Sequence, residues 1–187
     1  MKKKRNTIIV IIAIAIVVGV VIYIVTPNTL ERAQQIIEKQ TPEAVSFVLE
    51  HEKELSVLRE LRQRLDDKGY QIYQSGNDDP TFRTLIHSRI GPLQSFAECT
   101  DMSKEEKDAV YAILSALPVK IKDISIEPDF IAIYSETHFG FDLFSVSTVS
   151  LCITDDKNGV DDSPDREYYH YEQINDWFLG IGYWENG

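Results

Sequence analysis

The feature that most constrains this chain is an uncharged run near its start, residues 8–25, made of eight Ile, six Val, two Ala, one Gly and one Tyr. As a helix, such a run rises about 27 Å, close to the ~30 Å hydrocarbon core of a bilayer, and Thr7 and Thr26 extend it. β-branched residues are mediocre helix formers in water. Lipid offers their backbone groups no other partner, so the run must be helical there. Lys2, Lys3, Lys4 and Arg5 precede it, and the nearest charges after it are Glu31 and Arg32. Positive charge resists translocation, which places the N-terminus in the cytoplasm and the C-terminus outside. A cleaved signal peptide shares the basic start, but this run is longer than a signal core, no small-x-small site follows, and Pro27 sits where a cut would fall. The reading is a cytoplasmic head at 1–7, a transmembrane helix at 8–26 and an extracytoplasmic domain beyond. Within that domain 27–118 is expected to be mainly helical and 119–187 to be β.

Charge then narrows the partners. Beyond the four cations at positions 2–5, 15 Lys and Arg stand against 30 Asp and Glu, a formal charge of −15. Such a domain repels nucleic acid and anionic headgroups and draws basic proteins or peptides. Solubility alone also accounts for an acidic surface. Its two cysteines, Cys99 and Cys152, both lie in the outside part, where a disulfide can form; spacing alone leaves open whether they meet or stay as buried thiols.

Residues 29–39 are expected to form a short helix, with Asn28 and Glu31 as its capping pair. Thr41-Pro42-Glu43 reads as the start of a longer one, running to about 68 and ending before Gly69. Val45, Val48, Leu49, Leu55, Leu58, Leu61 and Leu65 form its apolar stripe. Near-heptad spacing offers a partner-helix reading, but His51, Glu52 and Arg62 interrupt the seam, which favours packing on its own domain. Residues 70–74 suggest a strand. Asp79-Pro80 then reads as a helix start, with Phe82, Leu85, Ile86, Ile90, Leu93 and Phe96 at helical spacing and a kink at Gly91-Pro92. Ser103 and Glu106 form a capping box. Five β-branched or aromatic runs follow, at 119–126, 130–136, 146–154, 167–173 and 177–184, separated by short turn segments. The fold class expected is α+β, with helices packed on a four- to five-stranded antiparallel meander sheet.

Enzyme signatures fail one by one. His51-Glu52-Lys53-Glu54-Leu55 begins like a zinc-protease motif, but Leu55 stands where the second ligand belongs. The chain has no nucleophile elbow, phosphate loop or dinucleotide fingerprint. Asp155, Asp156, Asp161 and Asp162 crowd one loop and are the metal candidates. Val160 and Asp161 spoil the EF-hand spacing, so calcium competes poorly with a solvated hairpin turned by Asn158-Gly159, and no other cofactor is implied. Tyr169, Tyr171, Trp177 and Trp184 are the binding candidates, because aromatics at alternating sheet positions can form a flat ligand platform. Ordinary cross-strand pairing uses the same residues. In the anchor, Ala15 and Gly19 form a small-xxx-small step that would let two helices approach.

The order of apolar helix, amphipathic helix and antiparallel sheet superficially resembles a type IV pilin, but residues 6–10 hold neither the processing site nor the glutamate of that family. In its basic head, single span and tyrosine-rich end, the chain is similar in layout to single-pass membrane-anchored proteins of Gram-positive bacteria. That resemblance implies a place at the cell envelope and no activity. The function expected is an anchored extracytoplasmic binding domain. The alternative is a cell-envelope hydrolase-like enzyme whose site assembles only in three dimensions.

Overall fold

A computed structural model describes residues 29–76, 78–86, 89–116, 121–141, 146–160 and 168–186. The expected anchor at 8–26 lies outside them, and among the described residues no helix is long and apolar enough to cross a membrane. The chain is α+β. Three helices, α1 (Thr29–Glu50), α2 (Glu52–Gln63) and α3 (Lys104–Ala116), accompany strands β1 (Lys68–Ser75), β2 (Thr81–Ile86), β3 (Arg89–Ile90), β4 (Gln94–Ser95), β5 (Ile121–Ile126), β6 (Ile131–Phe141), β7 (Val146–Thr154), β8 (Tyr168–Ile174) and β9 (Trp177–Asn186).

All nine strands join one sheet, in the order β3-β2-β1-β5-β6-β7-β9-β8, with β4 also on β2. Every pairing is antiparallel. The sheet is thus larger than the expected four or five strands and is not a simple meander. After β7 the chain passes one position outward to form β8, then returns through the Asn175-Asp176 turn so that β9 fills the gap. Asn175 takes the left-handed conformation that turn requires (φ 54°), which asparagine tolerates well.

Two helix expectations need correction. The first helix does not stop before Pro42 but runs through it to Glu50. Proline removes one helical hydrogen bond there, while the Thr41 hydroxyl donates to the Ile37 carbonyl at 2.8 Å. Ala33, Ile37, Ala44 and Val48 continue one buried stripe across the site, so packing holds both halves in line. The break falls instead at His51, where φ is −108° and ψ 22°. The second correction concerns 79–96, expected as helix. It forms β2, β3, β4 and a 3₁₀ turn at Phe96–Glu98. Phe82, Leu85 and Ile86 satisfy helical and strand spacing alike. The helical reading would have buried Ile86, Ile90 and Leu93, which are all exposed. β1 needed an antiparallel neighbour, and Thr81–Ile86 supplies it. The capping box is present as read: Ser103 N–H donates to Glu106 Oε2 at 2.7 Å and Glu106 N–H to the Ser103 hydroxyl at 3.2 Å.

The core lies on one face of the sheet. Tyr70 and Ile72 of β1, Ile124 and Ile126 of β5, Ile131 and Ile133 of β6, Val149, Leu151 and Ile153 of β7, and Leu179, Ile181 and Tyr183 of β9 all belong to it. They meet Ala33, Ile37, Phe47 and Val48 of α1, Leu55, Leu58 and Leu61 of α2, and Val110, Ile113 and Leu114 of α3. α1 runs along the strands: Gln40 Nε2 donates to the Thr137 hydroxyl of β6 at 2.9 Å, and Asn175 in the β8–β9 turn reaches Glu52 just past the helix end. The strands alternate, so the residues between these core positions point the other way. The three α-helices all pack on the core face, whereas on the opposite face Val160, just after the 3₁₀ turn at Lys157–Gly159, lies over Gly180, and Ala132, Thr148 and Thr154 are almost fully buried.

Candidate functional site

Strand register places one row of side chains across the face opposite the α-helices. Tyr73 of β1 pairs with Asp123 of β5, Asp123 with Tyr134 of β6, Tyr134 with Cys152 of β7, and Cys152 with Gly180 of β9. The next row on this face pairs Glu136 with Ser150 and Ser150 with Gly182. Small residues at Ser150, Cys152, Gly180 and Gly182 therefore occupy the middle of the face, with large rings to either side. The result is a trough of about 400 Å³ bounded by Tyr73, Asp123, Tyr134, Glu136, Cys152 and Trp184. Gly180 has a steric reason to be glycine: a Cβ there would strike the Tyr169 hydroxyl and Val160 Cγ1, which lie over this part of the sheet.

Electrostatics single out Asp123. Its Oδ1 is buried and has no hydrogen-bond partner among the described residues. Burial raises the carboxyl from its usual range to about 6. Tyr134 is pushed up to about 12, first by burial, then by the Cys152 thiol to which it hydrogen-bonds and by the Asp123 charge. Tyr73 is also raised, mainly by burial and then by Asp123. Arg83 of β2 lies over the Tyr73 ring at 5.7 Å.

The residues singled out in the sequence divide between the two faces. Trp184 lines the trough. Tyr169 and Tyr171 stand on the same face beside β9, opposite Gly182 and Gly180. Tyr171 is exposed and stacks on Phe178, with centroids 6.3 Å apart. Trp177 does not join them: it is buried in the core with the Arg59 guanidinium 5.0 Å above its ring. An odd separation along one strand puts Trp177 and Trp184 on opposite faces, a signal already present in their numbering.

The acidic loop also separates. The Asp155 side chain is 1% exposed, lies 3.1 Å from Arg62 and 3.6 Å from Arg59, and accepts the Ile131 N–H at 2.7 Å. It therefore clamps α2 to the sheet and does not face solvent as a ligand. Asp156 caps the following 3₁₀ turn by accepting the Asn158 N–H at 3.0 Å. Asp161 and Asp162 lie outside the described residues. Among the described residues no three His, Cys, Asp or Glu side chains gather where they could hold a metal ion.

No disulfide joins Cys99 and Cys152, so of the two arrangements that spacing left open the fold holds separate thiols. Cys99 sits in the core under the helices, whereas Cys152 is on the opposite face, so the sheet itself stands between them.

Among the described residues the lining of the trough holds no histidine. His138 is on the same face as Tyr134 but four residues along β6, about 13 Å away. It bonds Thr148 at 3.0 Å and lies 3.7 Å from Glu136. His51 sits at the joint between α1 and α2, and His170 lies at the edge strand beside Glu172. Among the described residues, then, no histidine stands beside Cys152 or Asp123.

Tyr73, Asp123 and Tyr134 escaped the sequence reading. Asp123 carried a faint signal, as an acid inside the apolar run at 119–126, but its aromatic neighbours come from strands about 50 and 11 residues away along the chain. Comparison with protein-family models, with curated proteins and with solved structures finds no match for this chain.

Proposed function

We propose that the chain is a membrane-anchored extracytoplasmic binding domain that recognises a basic protein or peptide through the trough on the sheet face opposite its α-helices. The observation that carries this reading is the trough itself: Asp123, whose Oδ1 is buried with no donor among the described residues, walled by aromatic rings, on the face away from the three α-helices. The −15 charge beyond the basic head supports it by drawing cationic partners at long range. The separation of His138 from Cys152 argues for binding over hydrolysis, since nucleophilic chemistry needs thiol and base within hydrogen-bond reach.

The apolar run at 8–26 and its basic head support the anchor and its orientation. α1 begins at Thr29 and runs toward the β8–β9 turn. An anchor joined to its first turn would hold the end of the sheet that bears Asp129, Asp155 and Asp176 away from the bilayer.

The test is equilibrium binding of the full-length chain in detergent to a mixed Lys/Arg peptide and to a neutral peptide of equal length. The cationic peptide should bind in a salt-dependent way, and Ser150→Trp, which fills the trough floor, should abolish binding. Unchanged affinity in Ser150→Trp would remove the trough as the binding surface. For the topology, protease added to intact cells should digest the domain; protection equal to that of a cytoplasmic marker would overturn the orientation.

A further inference from the structure

We infer that the trough receives one primary alkylammonium group, a lysine side chain of the basic partner, seated between Tyr73, Tyr134 and Trp184 with its charge against Asp123. This rests on the binding reading above and adds the chemistry of the group recognised.

Asp123 Oδ1 is an acceptor held away from water with no donor supplied by the described residues. A buried carboxylate left so is costly, and a cation seated in the trough that Asp123 lines offsets part of that cost through its charge. The groups facing Asp123 from each neighbouring strand are Tyr73 from β1, Tyr134 and Glu136 from β6, and Cys152 from β7, with Trp184 of β9 closing the far wall. Arg83 of β2 stays over the outer side of Tyr73, and Glu127 at the end of β5 lies 3.3 Å from the Ser125 hydroxyl. The trough therefore offers negative charge and ring faces, and among the described residues no cation pairs with Asp123.

Three cationic groups can be compared on these walls. A guanidinium is a planar fork that pairs best with a carboxylate presenting both oxygens, and here the burial of Oδ1 leaves Asp123 at most one oxygen to present to the trough. A quaternary ammonium suits aromatic faces but has no N–H to give. A primary ammonium is compact, donates to one oxygen, gains from the Tyr and Trp faces, and lays its alkyl stem along the rings.

The site also carries its own pH signature. Ordinary surface carboxylates stay ionised down to about pH 4, whereas Asp123 takes up a proton near 6. Lysine binding in the trough should thus weaken as pH falls from 7 to 5, a range in which a general acidic surface keeps its charge.

The experiment is calorimetric titration of the full-length chain in detergent, at fixed salt, with a short oligolysine peptide and with oligoarginine and oligo-trimethyllysine peptides of equal charge. Oligolysine should bind tightest. Asp123→Asn should weaken it by about tenfold or more, and Trp184→Leu by about fivefold, while Glu60→Gln on α2 changes nothing. Oligolysine affinity unchanged by Asp123→Asn, or equal affinity for lysine and arginine peptides, would overturn this inference. The binding reading would then still stand if Ser150→Trp abolished the signal. No binding of any of the three peptides to the unmodified chain would overturn both.

Discussion

The two faces of the sheet are built from the same strands and have opposite characters. On the helix-covered face the central rows are Ile72, Ile124, Ile133, Ile153 and Leu179, all almost completely buried. One residue along, the opposite face presents Tyr73, Asp123, Tyr134, Cys152 and Gly180. Asp123 and Ile124 are neighbours in sequence, yet one has a buried carboxylate oxygen with no hydrogen-bond partner among the described residues and the other is a core side chain with no exposure. The strand period of two makes this division possible: branched aliphatics stabilise the fold on one side, and the alternate positions can carry polar and aromatic side chains on the other.

The sharpest test of that division is to shorten one large side chain on each side. Leu58 of α2 is fully buried where that helix meets α3 and β6. Leu58→Ala should cost about 3 kcal/mol, from lost transfer energy plus the cavity left behind. Tyr134→Ala on the opposite face, where the ring is part exposed, should cost less than about 1 kcal/mol while impairing binding. Urea unfolding of the two variants decides the matter. Equal losses would mean that the face opposite the α-helices is core at Tyr134 as well.

Asp155 tests the boundary between the faces. This acid, read from sequence as a metal candidate, joins β7 to α2 by its pairs with Arg62 and Arg59 and accepts the Ile131 N–H. Asp155→Asn keeps an acceptor for Ile131 but removes the charge both arginines face. The expected loss is about 2 kcal/mol, below the usual cost of breaking a fully buried pair because each arginine is about a quarter exposed. A change under about 0.5 kcal/mol in urea unfolding would show that the pairs are decorative and would reopen a ligand role for this carboxylate.

How much of this was legible follows from where each signal lies along the chain. The five late strands were visible because β-branched and aromatic runs alternate between clear turn segments, and β7 occurs at the expected positions. The Ser103–Glu106 box was visible because both partners lie within one turn. Burial pushes the Glu106 carboxyl up, but Arg64 together with the Ser103 N–H and hydroxyl outweighs it and leaves it lowered. By contrast, β2 was hidden because Phe82, Leu85 and Ile86 satisfy two periods at once, and only its pairing with β1 decides between them. The trough was half legible. Tyr169, Tyr171 and Trp184 announced an aromatic face, but the site's charge comes from Asp123, which acquires meaning only when β1 and β6 are laid on either side of β5. Cross-strand neighbours of this kind are set by register, and register is a property of the whole sheet rather than of any local window.

The smallest expected effect has the opposite sign and discriminates most finely. Asp123 has a folded-state pKa of about 6, above its unfolded value near 3.8, so its protonated form is the one favoured by folding. The stability this contributes is complete below the unfolded value and is lost as pH rises through about 6, leaving at pH 7 a buried charge that destabilises the fold. Asp123→Asn removes that charge while keeping the side chain's shape. At pH 7 it should therefore stabilise the protein by about 1 to 2 kcal/mol, after allowing for solvent screening at a partly open site. At pH 4 the gain should nearly vanish. A core acid with a concealed structural partner would behave differently, since its replacement would lose stability at pH 7. Urea unfolding of the Asp123→Asn variant at both pH values thus asks whether the two faces are as different as they look. A gain in stability joined to a loss of lysine-peptide binding marks a residue retained for recognition at the expense of the fold. A loss of stability at pH 7 would return Asp123 to the structural side of the sheet.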